Sequence, residues 1–203
     1  MVERYLRQSA LAHRHLSGTA STELGNAGIG LSERPYRAMI AVRGDAGDQR
    51  FREAVEAVAG TAPPIDPNTV ATSRKAKVMW LGPDEWLIVA LPGREGTLAS
   101  GLRERLAGLP AAVVDVSESR TVIAVTGSKA RDLLARGCTL DLHPRAFKVG
   151  ACAQTGLARA AVLLHLVDDR PTFEITLARS FADYLWSWLT AKGEEYGLAV
   201  LAE

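Results

Sequence analysis

The chain has 203 residues, and 24 Lys and Arg side chains against 23 Asp and Glu give it a formal net charge of +1 at pH 7. Hydrophobic residues make up 47% of the sequence and charged residues 23%, which is typical of a folded globular protein and excludes disorder as its main state. Nucleic acid is disfavoured as the main partner, because binding it requires an excess of basic residues. The two cysteines, Cys138 and Cys152, are too few for a disulfide scaffold.

The sequence also gives an expectation for location. The first residues hold no apolar run long enough for a signal peptide, and no stretch approaches the ~20 apolar residues of a membrane span. We therefore expect a cytoplasmic protein with no membrane partner.

Residues 1–34 differ in composition from the rest of the chain. Residues 1–16 predict a short helix with Leu6 and Leu11 on one side, and residues 17–30 are rich in Gly, Ser and Thr. This composition predicts an N-terminal arm that docks on another subunit, with Leu6 and Leu11 as candidate partner contacts.

Residues 35–117 predict a first α+β unit. Apolar residues that recur at i, i+4 and i+7 predict helices, and Gly-Pro-Asp-Glu between two apolar runs predicts a hairpin turn. The resulting order, β-α-β-β-α-β, is that of a ferredoxin-like unit. The predicted elements are a strand at 36–42, a helix with Phe51, Val55 and Val58 that ends at Gly60, a loop at 61–73, strands at 77–81 and 86–91, a helix with Leu98, Leu102 and Leu106, and a strand at 111–116.

Residues 118–203 predict a second unit of similar kind, which indicates an internal structural duplication. Its last two strands are joined by a turn at residues 168–171, and Ser180 is predicted to cap the final helix. The predicted elements are a strand at 121–125, a helix capped within residues 126–128 with Ala130, Leu133 and Leu134 on its apolar face and Gly137 at its end, strands at 151–157, 161–167 and 172–177, and a final helix whose apolar face holds Phe181, Tyr184, Leu185, Trp188 and Leu189.

The final predicted helix carries a tryptophan away from that apolar face. At 100° per residue, Trp186 lies about 140° from Phe181 around the helix, so it is expected to point away from the core. Since tryptophan is enriched among interface hot spots, Trp186 is a candidate partner contact. The alternative is a surface residue that packs along the flank of the helix.

Two patterns contain the residue types of ligand sites but fit such sites poorly. A phosphate loop needs a preceding strand and a following helix, which the glycines of residues 25–30 lack, so we interpret them as a flexible linker. Cys138, His143, Cys152 and His165 are possible zinc ligands, but they lack the paired short spacing of zinc sites.

No pattern marks the chain as a catalyst. The sequence has no Gly-x-Ser-x-Gly nucleophile motif, and a turn accounts for the polar residues Asp115, Ser117 and Ser119. No pair of carboxylates lies in a context that would separate their pKa values. We predict no catalytic, cofactor-binding or metal-binding residue in this chain.

Five short strings together resemble the gamma subunit family of heterotetrameric sarcosine oxidase. They occur in the same order and spacing as in that family, while the N-terminal third matches only loosely. The strings are Leu81-Gly-Pro-Asp-Glu-Trp86, Asp115-Val-Ser-Glu-Ser-Arg-Thr121, Arg136-Gly-Cys-Thr-Leu-Asp-Leu-His-Pro144, Gly150-Ala-Cys-Ala-Gln-Thr155 and Ala178-Arg-Ser-Phe-Ala-Asp-Tyr-Leu-Trp186.

This family itself resembles the folate-binding aminomethyltransferase, or T-protein, of the glycine cleavage system. Residues 115–117 and 125–130 fit that protein's Asp-x-Ser-His and Gly-Pro-x-Ala patterns, which implies a T-protein-like α+β fold of two ferredoxin-like βαββαβ units. The T-protein pattern places an acidic residue in the strand that corresponds to residues 161–167, where this chain has none, and Glu118 follows Ser117 in place of histidine. The resemblance therefore implies that this chain carries no folate-processing site.

The resemblance also implies a role in a complex. Heterotetrameric sarcosine oxidases oxidise sarcosine with O2 to glycine, hydrogen peroxide and formaldehyde, or to methylenetetrahydrofolate when tetrahydrofolate captures the carbon. The resemblance implies a non-catalytic, structural gamma subunit that docks chiefly on the alpha subunit, with beta and delta as further partners. It also implies that FAD, FMN, NAD, tetrahydrofolate and zinc are bound by those partner subunits.

Two other interpretations remain open on the sequence. One is a stand-alone folate-binding one-carbon transferase or module of T-protein type. The other is a structural adaptor in a different amine-oxidising assembly.

Overall fold

The computed structural model describes residues 7–202, in which two β-sheets lie face to face and α-helices cover the outer face of each. The strands are β1 (Ile29–Arg34), β2 (Ala38–Arg43), β3 (Val70–Thr72), β4 (Lys77–Gly82), β5 (Glu85–Ala90), β6 (Ala112–Asp115), β7 (Arg120–Thr126), β8 (Cys152–Leu157), β9 (Ala160–Asp168), β10 (Thr172–Ala178) and β11 (Leu198–Val200). The α-helices are α1 (Gln49–Ala59), α2 (Glu95–Arg105), α3 (Ala130–Ala135) and α4 (Ala182–Gly193).

The first sheet has the strand order β3-β4-β5-β2-β6, and every pair in it is antiparallel. The helices α1 and α2 bury their apolar sides on its outer face. Local signals set the ends of α1, because the Asp48 side chain accepts a hydrogen bond from the Arg50 N–H and Gly60 takes the left-handed conformation that ends a helix. The predicted helix, its end at Gly60 and the β4–β5 hairpin are confirmed.

The second sheet has the strand order β11-β1-β7-β10-β9-β8, with α3 and α4 packed on its outer face. All of its pairs are antiparallel except the one between β1 and β11. The predicted strands at 121–125, 151–157, 161–167 and 172–177 correspond to β7 to β10 within one or two residues. Gly137 follows α3, and a Cβ atom there would meet the Trp188 ring.

The two sheets repeat one order of elements. The order β-α-β-β-β-α-β runs from β2 to β6 and again from β7 to β11. The corresponding strands also take corresponding places in the two sheets, with one exception. In the first sheet β2 pairs directly with β6, whereas in the second β1 lies between β7 and β11.

Residues 7–34 do not form a separate arm, and the boundary predicted at residue 34 is wrong. The strand Ile29–Arg34 lies inside the second sheet, where β7 and β11 cover both of its edges. Leu11 is 1% exposed and belongs to the core under α3 and α4. Instead of the predicted helix through Leu16, the described part holds two single 3-10 turns, and Leu6 lies outside the described residues.

The apolar face predicted for the final helix is correct only in part, because Leu185 and Leu189 are buried whereas Phe181 and Tyr184 are not. Trp186 is 3% exposed and lies in the core of the second sheet, together with Leu185 and Leu189. Phe181 and Tyr184, which were expected in the core, are 42% and 38% exposed. Small residues lie on the buried side of the helix: Ala182 and Gly193 face inward, and a Cβ atom at Gly193 would lie 2.6 Å from the end of the Leu198 side chain, which would have to shift.

Smaller differences from the sequence predictions occur at helix ends and in one loop. The helices α3 and α4 begin without a side-chain cap, so neither Ser128 nor Ser180 has the predicted capping role. The short strand Val70–Thr72 lies inside the stretch predicted as a loop and forms an edge of the first sheet. Among residues 7–202, no helix is long and apolar enough to cross a membrane.

Candidate functional site

The inner faces of the two sheets meet through apolar side chains and one ionic cluster. The apolar contact includes Met39, Met79 and Leu87 from the first sheet and Val122 and Leu163 from the second. Backbone hydrogen bonds reinforce it at one edge, where the Cys152 N–H donates to the Asn68 carbonyl at 2.8 Å. The ionic cluster lies beside this apolar contact.

Glu174 in β10 is the centre of the ionic cluster. Its side chain is 12% exposed and lies on the inner face of the second sheet. Lys77 from the opposite sheet places its Nζ 2.6 Å from Glu174 Oε2, Arg34 from β1 donates to Oε1, and His165 Nδ1 lies 3.3 Å from Oε2. The cluster therefore links three strands of the second sheet to β4 of the first.

These partners keep Glu174 ionised. Burial raises the pKa of a carboxyl group, but the hydrogen bond to His165 and the positive charges of Lys77 and Arg34 outweigh it and hold the pKa of Glu174 well below its usual range. A carboxylate held in this state is a poor general acid or base near neutral pH. Glu174 and its cationic partners form a buried ion pair that links the two sheets and fixes their relative position.

A cysteine, a histidine and a glutamate, which are residue types found in catalytic triads, occupy neighbouring positions on β8, β9 and β10. Cys152 is paired with His165 across β8 and β9, and His165 with Glu174 across β9 and β10. The Cys152 thiol faces backbone oxygens instead, at 3.4 Å from Thr69 O and 3.5 Å from Trp80 O. Burial raises the pKa of Cys152 to about 11, so the thiol stays protonated and is not an activated nucleophile.

A cavity of about 270 Å³ opens next to Glu174. Its walls come from the end of β1, the β3–β4 turn, the end of β5 and the inner face of the second sheet. Basic side chains predominate among its polar lining residues, which are Arg34, Arg37, Thr72, Ser73, Arg74, Lys75, Lys77 and Glu174.

Of the four possible zinc ligands, Cys152 and His165 are neighbours across β8 and β9, and Cys138 and His143 do not join them in a group. Within residues 7–202, no three Cys, His, Asp or Glu side chains form a group that could hold a metal ion. The Cys138 Sγ atom lies 3.7 Å from the Thr155 hydroxyl oxygen. His143 Nδ1 accepts a hydrogen bond from the Arg145 N–H within its own loop.

Two of the glycines in residues 25–30, Gly28 and Gly30, are closely packed against neighbouring residues. A Cβ atom at Gly28 would lie 2.6 Å from the Tyr196 carbonyl oxygen. The N–H groups of Gly28 and Ile29 donate to the carbonyls of Tyr196 and Gly197, so they are not available to cradle a phosphate.

The Asp-x-Ser string, which fits the T-protein pattern, has a structural role in this fold. Asp115 Oδ1 accepts hydrogen bonds from the Ser117 N–H at 3.0 Å and the Ser117 hydroxyl at 2.6 Å. The Ser117 hydroxyl oxygen in turn accepts from the Met39 N–H at 2.9 Å. These bonds connect the turn after β6 to β2, as the turn interpretation of these residues predicted.

Two of the three predicted partner contacts are covered by the chain itself. Leu11 and Trp186 are both buried in the core of the second sheet. The aromatic residues exposed at the start of α4 are instead Phe181 and Tyr184, whose rings meet edge to face with 6.4 Å between their centroids.

The ionic cluster of Glu174 and its cationic partners is not predicted from the sequence. The pattern of β10 held a usable signal, because Phe173, Ile175 and Leu177 alternate with Thr172, Glu174 and Thr176. Alternation usually marks a strand with one solvent-facing side. A second sheet that covers the polar side is not visible in the sequence, since it is built by remote strands.

The arrangement of two stacked sheets with outer helices defines a protein with an aminomethyltransferase-like fold. The chain aligns with the glycine cleavage system aminomethyltransferase T from Bartonella henselae with a TM-score of 0.71 at 16% identity, over 97% of this chain and 59% of that one. The model of the "Sarcosine oxidase, gamma subunit family" matches residues 43–195, so the chain belongs to that family.

Individual relatives agree with this assignment. The chain is 36% identical over 169 residues to the sarcosine oxidase gamma subunit of Corynebacterium sp. strain P-1, covering 83% of this chain and 81% of that one. Over 198 residues it is 30% identical to the gamma subunit of Corynebacterium sp. strain U-96, covering 97% and 95%. A chain of the solved heterotetrameric sarcosine oxidase from Corynebacterium sp. U-96 aligns with a TM-score of 0.83 at 29% identity, over 97% of this chain and 99% of that one.

Proposed function

We propose that this chain is the gamma subunit of a heterotetrameric sarcosine oxidase and that its role in the complex is structural. The observation that carries the proposal is the alignment with a chain of the solved heterotetramer, which spans nearly the whole length of both chains. Its main contact would be the alpha subunit, with beta and delta as further partners. The complex would oxidise sarcosine in the cytoplasm to glycine, hydrogen peroxide and formaldehyde or methylenetetrahydrofolate.

The state of the buried polar groups supports a non-catalytic role. Glu174 is held ionised by three partners, and Cys152 is held as a protonated thiol. Neither state is suited to proton transfer or to nucleophilic attack. FAD, FMN, NAD, tetrahydrofolate and zinc would then be bound by the partner subunits.

The repeated order of elements supports the interpretation of each half as a ferredoxin-like unit, with one added strand (β3) in the first half and two (β8 and β1) in the second. In the first half, the order β6-β2-β5-β4 is antiparallel throughout, and both helices lie on one face. In the second half, β11, β7, β10 and β9 keep the corresponding order, with β1 inserted after β11.

The exposed aromatic pair on α4 is the best candidate for a contact with the alpha subunit. Phe181 and Tyr184 expose ring surface at the start of the helix, and aromatic residues are enriched at protein interfaces. The neighbouring N-terminal segment is fixed beside them, because Arg14 Nε donates to Asp183 Oδ1 at 2.6 Å.

The test is to tag the chain in its own host, purify it gently, and record the subunit composition together with the visible absorption. A yellow assembly of four different chains that oxidises sarcosine is the expected result. A colourless species of 21.7 kDa would contradict the proposal. It would favour the alternative of a stand-alone folate-binding module, for which the next measurement is a calorimetric titration with tetrahydrofolate.

A further inference from the structure

The cavity beside Glu174 has the chemistry of an anion-binding site. We propose that it binds a small organic anion, which carries a carboxylate or phosphate group on an apolar body. This inference does not depend on the proposed function, because it concerns side chains of this chain alone.

Charge is the first argument. Even without Arg37, four cationic side chains line the cavity, and among the lining residues that the structure describes Glu174 is the only carboxylate. Arg34 and Lys77 share that single carboxylate. Within residues 7–202, no carboxylate forms an ion pair with Arg74 or Lys75 on the β3–β4 turn. A concave surface with such an excess of one sign concentrates the opposite charge.

The second argument is that two of the basic groups, Arg34 and Lys77, are held in place by Glu174. Glu174 binds Arg34 and Lys77 at the floor of the cavity, so neither side chain has to be ordered anew when a ligand arrives. A network of hydrogen bonds within the turn shapes the rim, where the Ser73 hydroxyl accepts from the N–H of Lys75 at 2.9 Å and donates to the Ala59 carbonyl at 2.7 Å. A site that is organised before binding loses less conformational entropy when it is filled.

The third argument is the apolar part of the wall. Val89, Ala90 and Val122 line the cavity, and Leu91 lies at its mouth with 64% of its surface exposed. Such surface favours the apolar part of a ligand over a fully hydrated inorganic ion. The volume of 270 Å³ holds about nine groups the size of a water molecule, at about 30 Å³ each. A monocyclic aromatic acid is of this size.

Three probes of matched shape test the proposal. Benzoate and phenyl phosphate carry the two candidate anionic groups, and benzamide is the neutral counterpart of benzoate. Their dissociation constants are measured by isothermal titration calorimetry on the full chain, or on the complex with which it purifies. We expect at least one of the two anions to bind at least ten times more tightly than benzamide, and the tighter anion identifies the preferred group.

Two double variants that change the net charge by the same amount test where the anion binds. The double variant Arg74→Glu, Lys75→Glu should weaken binding of that anion at least tenfold. The matched control is Arg145→Glu, Lys148→Glu, which reverses two exposed cations outside the cavity and should leave the affinity within twofold of the original. Since all four side chains are exposed, both variants are expected to fold, which near-ultraviolet circular dichroism would verify.

Two results would overturn the proposal. The first is that neither anion binds more tightly than benzamide, which would show that the cavity does not select for negative charge. The second is an equal loss of affinity in both double variants, which would show a diffuse effect of net charge rather than a site at the β3–β4 turn.

Discussion

The two halves of the molecule repeat one order of elements, but they complete their sheets differently. The first half closes by pairing β2 with β6, whereas the second half admits β1 between β7 and β11. The second half is therefore built from both ends of the chain. Leu11, Ile29 and Leu31 lie in the same core as Leu185 and Leu189.

This difference also explains where the charged cluster lies. Arg34 is the last residue of the inserted strand and reaches Glu174 on the inner face of the second sheet. The first sheet contributes one cation, Lys77, and otherwise presents the apolar residues Met39, Met79 and Leu87. The inserted strand thus completes a sheet and also supplies half of the positive charge that neutralises a buried carboxylate.

The largest expected effect tests whether α4 belongs to the core of the second half. Trp186→Ala should lower the free energy of unfolding by about 3–5 kcal/mol, the usual cost of removing a buried aromatic ring. Trp188→Ala, at a partly buried position two residues away, is the comparison and should cost clearly less. Urea unfolding followed by circular dichroism measures both. Equal losses would place the two rings in similar surroundings and contradict the orientation of α4.

The second prediction concerns the ionic link between the halves. Glu174→Gln should lower the free energy of unfolding by about 3 kcal/mol at pH 7, because removing one member of a buried ion pair leaves the charges of its partners without a counter-charge. Because the pKa of Glu174 is lowered on folding, its contribution is present above the ordinary glutamate pKa of about 4.3 and is lost as the pH falls below that value. Unfolding of both proteins is measured from pH 7 to pH 3, and the difference between them should shrink toward the acid end. A difference that does not depend on pH would show that the ionised carboxylate is not the stabilising group.

The third prediction separates the two halves directly. Leu11→Ala should lower the free energy of unfolding by about 2–3 kcal/mol, within the usual range for truncating a buried leucine, because the side chain lies in the core of the second sheet. Hydrogen exchange should accelerate in β1, β7 and α4, while β4 and β5 keep their protection. Uniform acceleration in both sheets would mean that the N-terminal segment supports the whole molecule instead of its second half.

The smallest expected effect on stability concerns the exposed aromatic pair. The double variant Phe181→Ala, Tyr184→Ala should change the free energy of unfolding by no more than about 0.5 kcal/mol per residue, as for other exposed side chains. It should nevertheless reduce the fraction of the chain that co-purifies with the alpha subunit. Ile65→Ala, an exposed apolar residue in the first half, is the control. Normal assembly of the double variant would remove this surface from the proposed interface.

Local signals allowed most of the first half to be predicted. The spacing of Phe51 and Val55, the Gly60 helix end and the turn at Pro83 and Asp84 each act within a few residues, and the structure confirms all three. The strand Ile29–Arg34 was not predicted because it follows a stretch rich in glycine and serine and pairs only with strands that lie far along the sequence.

The orientation of α4 was predicted wrongly for a different reason. Leu185 and Leu189 fit two candidate faces equally well, one with Phe181 and Tyr184 and the other with Trp186. Hydrophobicity alone predicts that Phe181 and Tyr184 are buried. The structure instead buries the side on which Ala182 and Gly193 let the helix approach the sheet. Small residues were the better indicator, because close packing depends on shape as well as on hydrophobicity.

We propose that this chain has a structural role in a sarcosine oxidase complex and takes no part in its chemistry. The most direct test is the sarcosine turnover per flavin of complexes assembled with Glu174→Gln, because Glu174 is the buried carboxylate at the centre of the ionic cluster. We predict a turnover within twofold of the unmodified complex, with any loss confined to the amount of complex formed. A tenfold fall in turnover by fully assembled complexes would contradict the claim and make this residue part of the reaction.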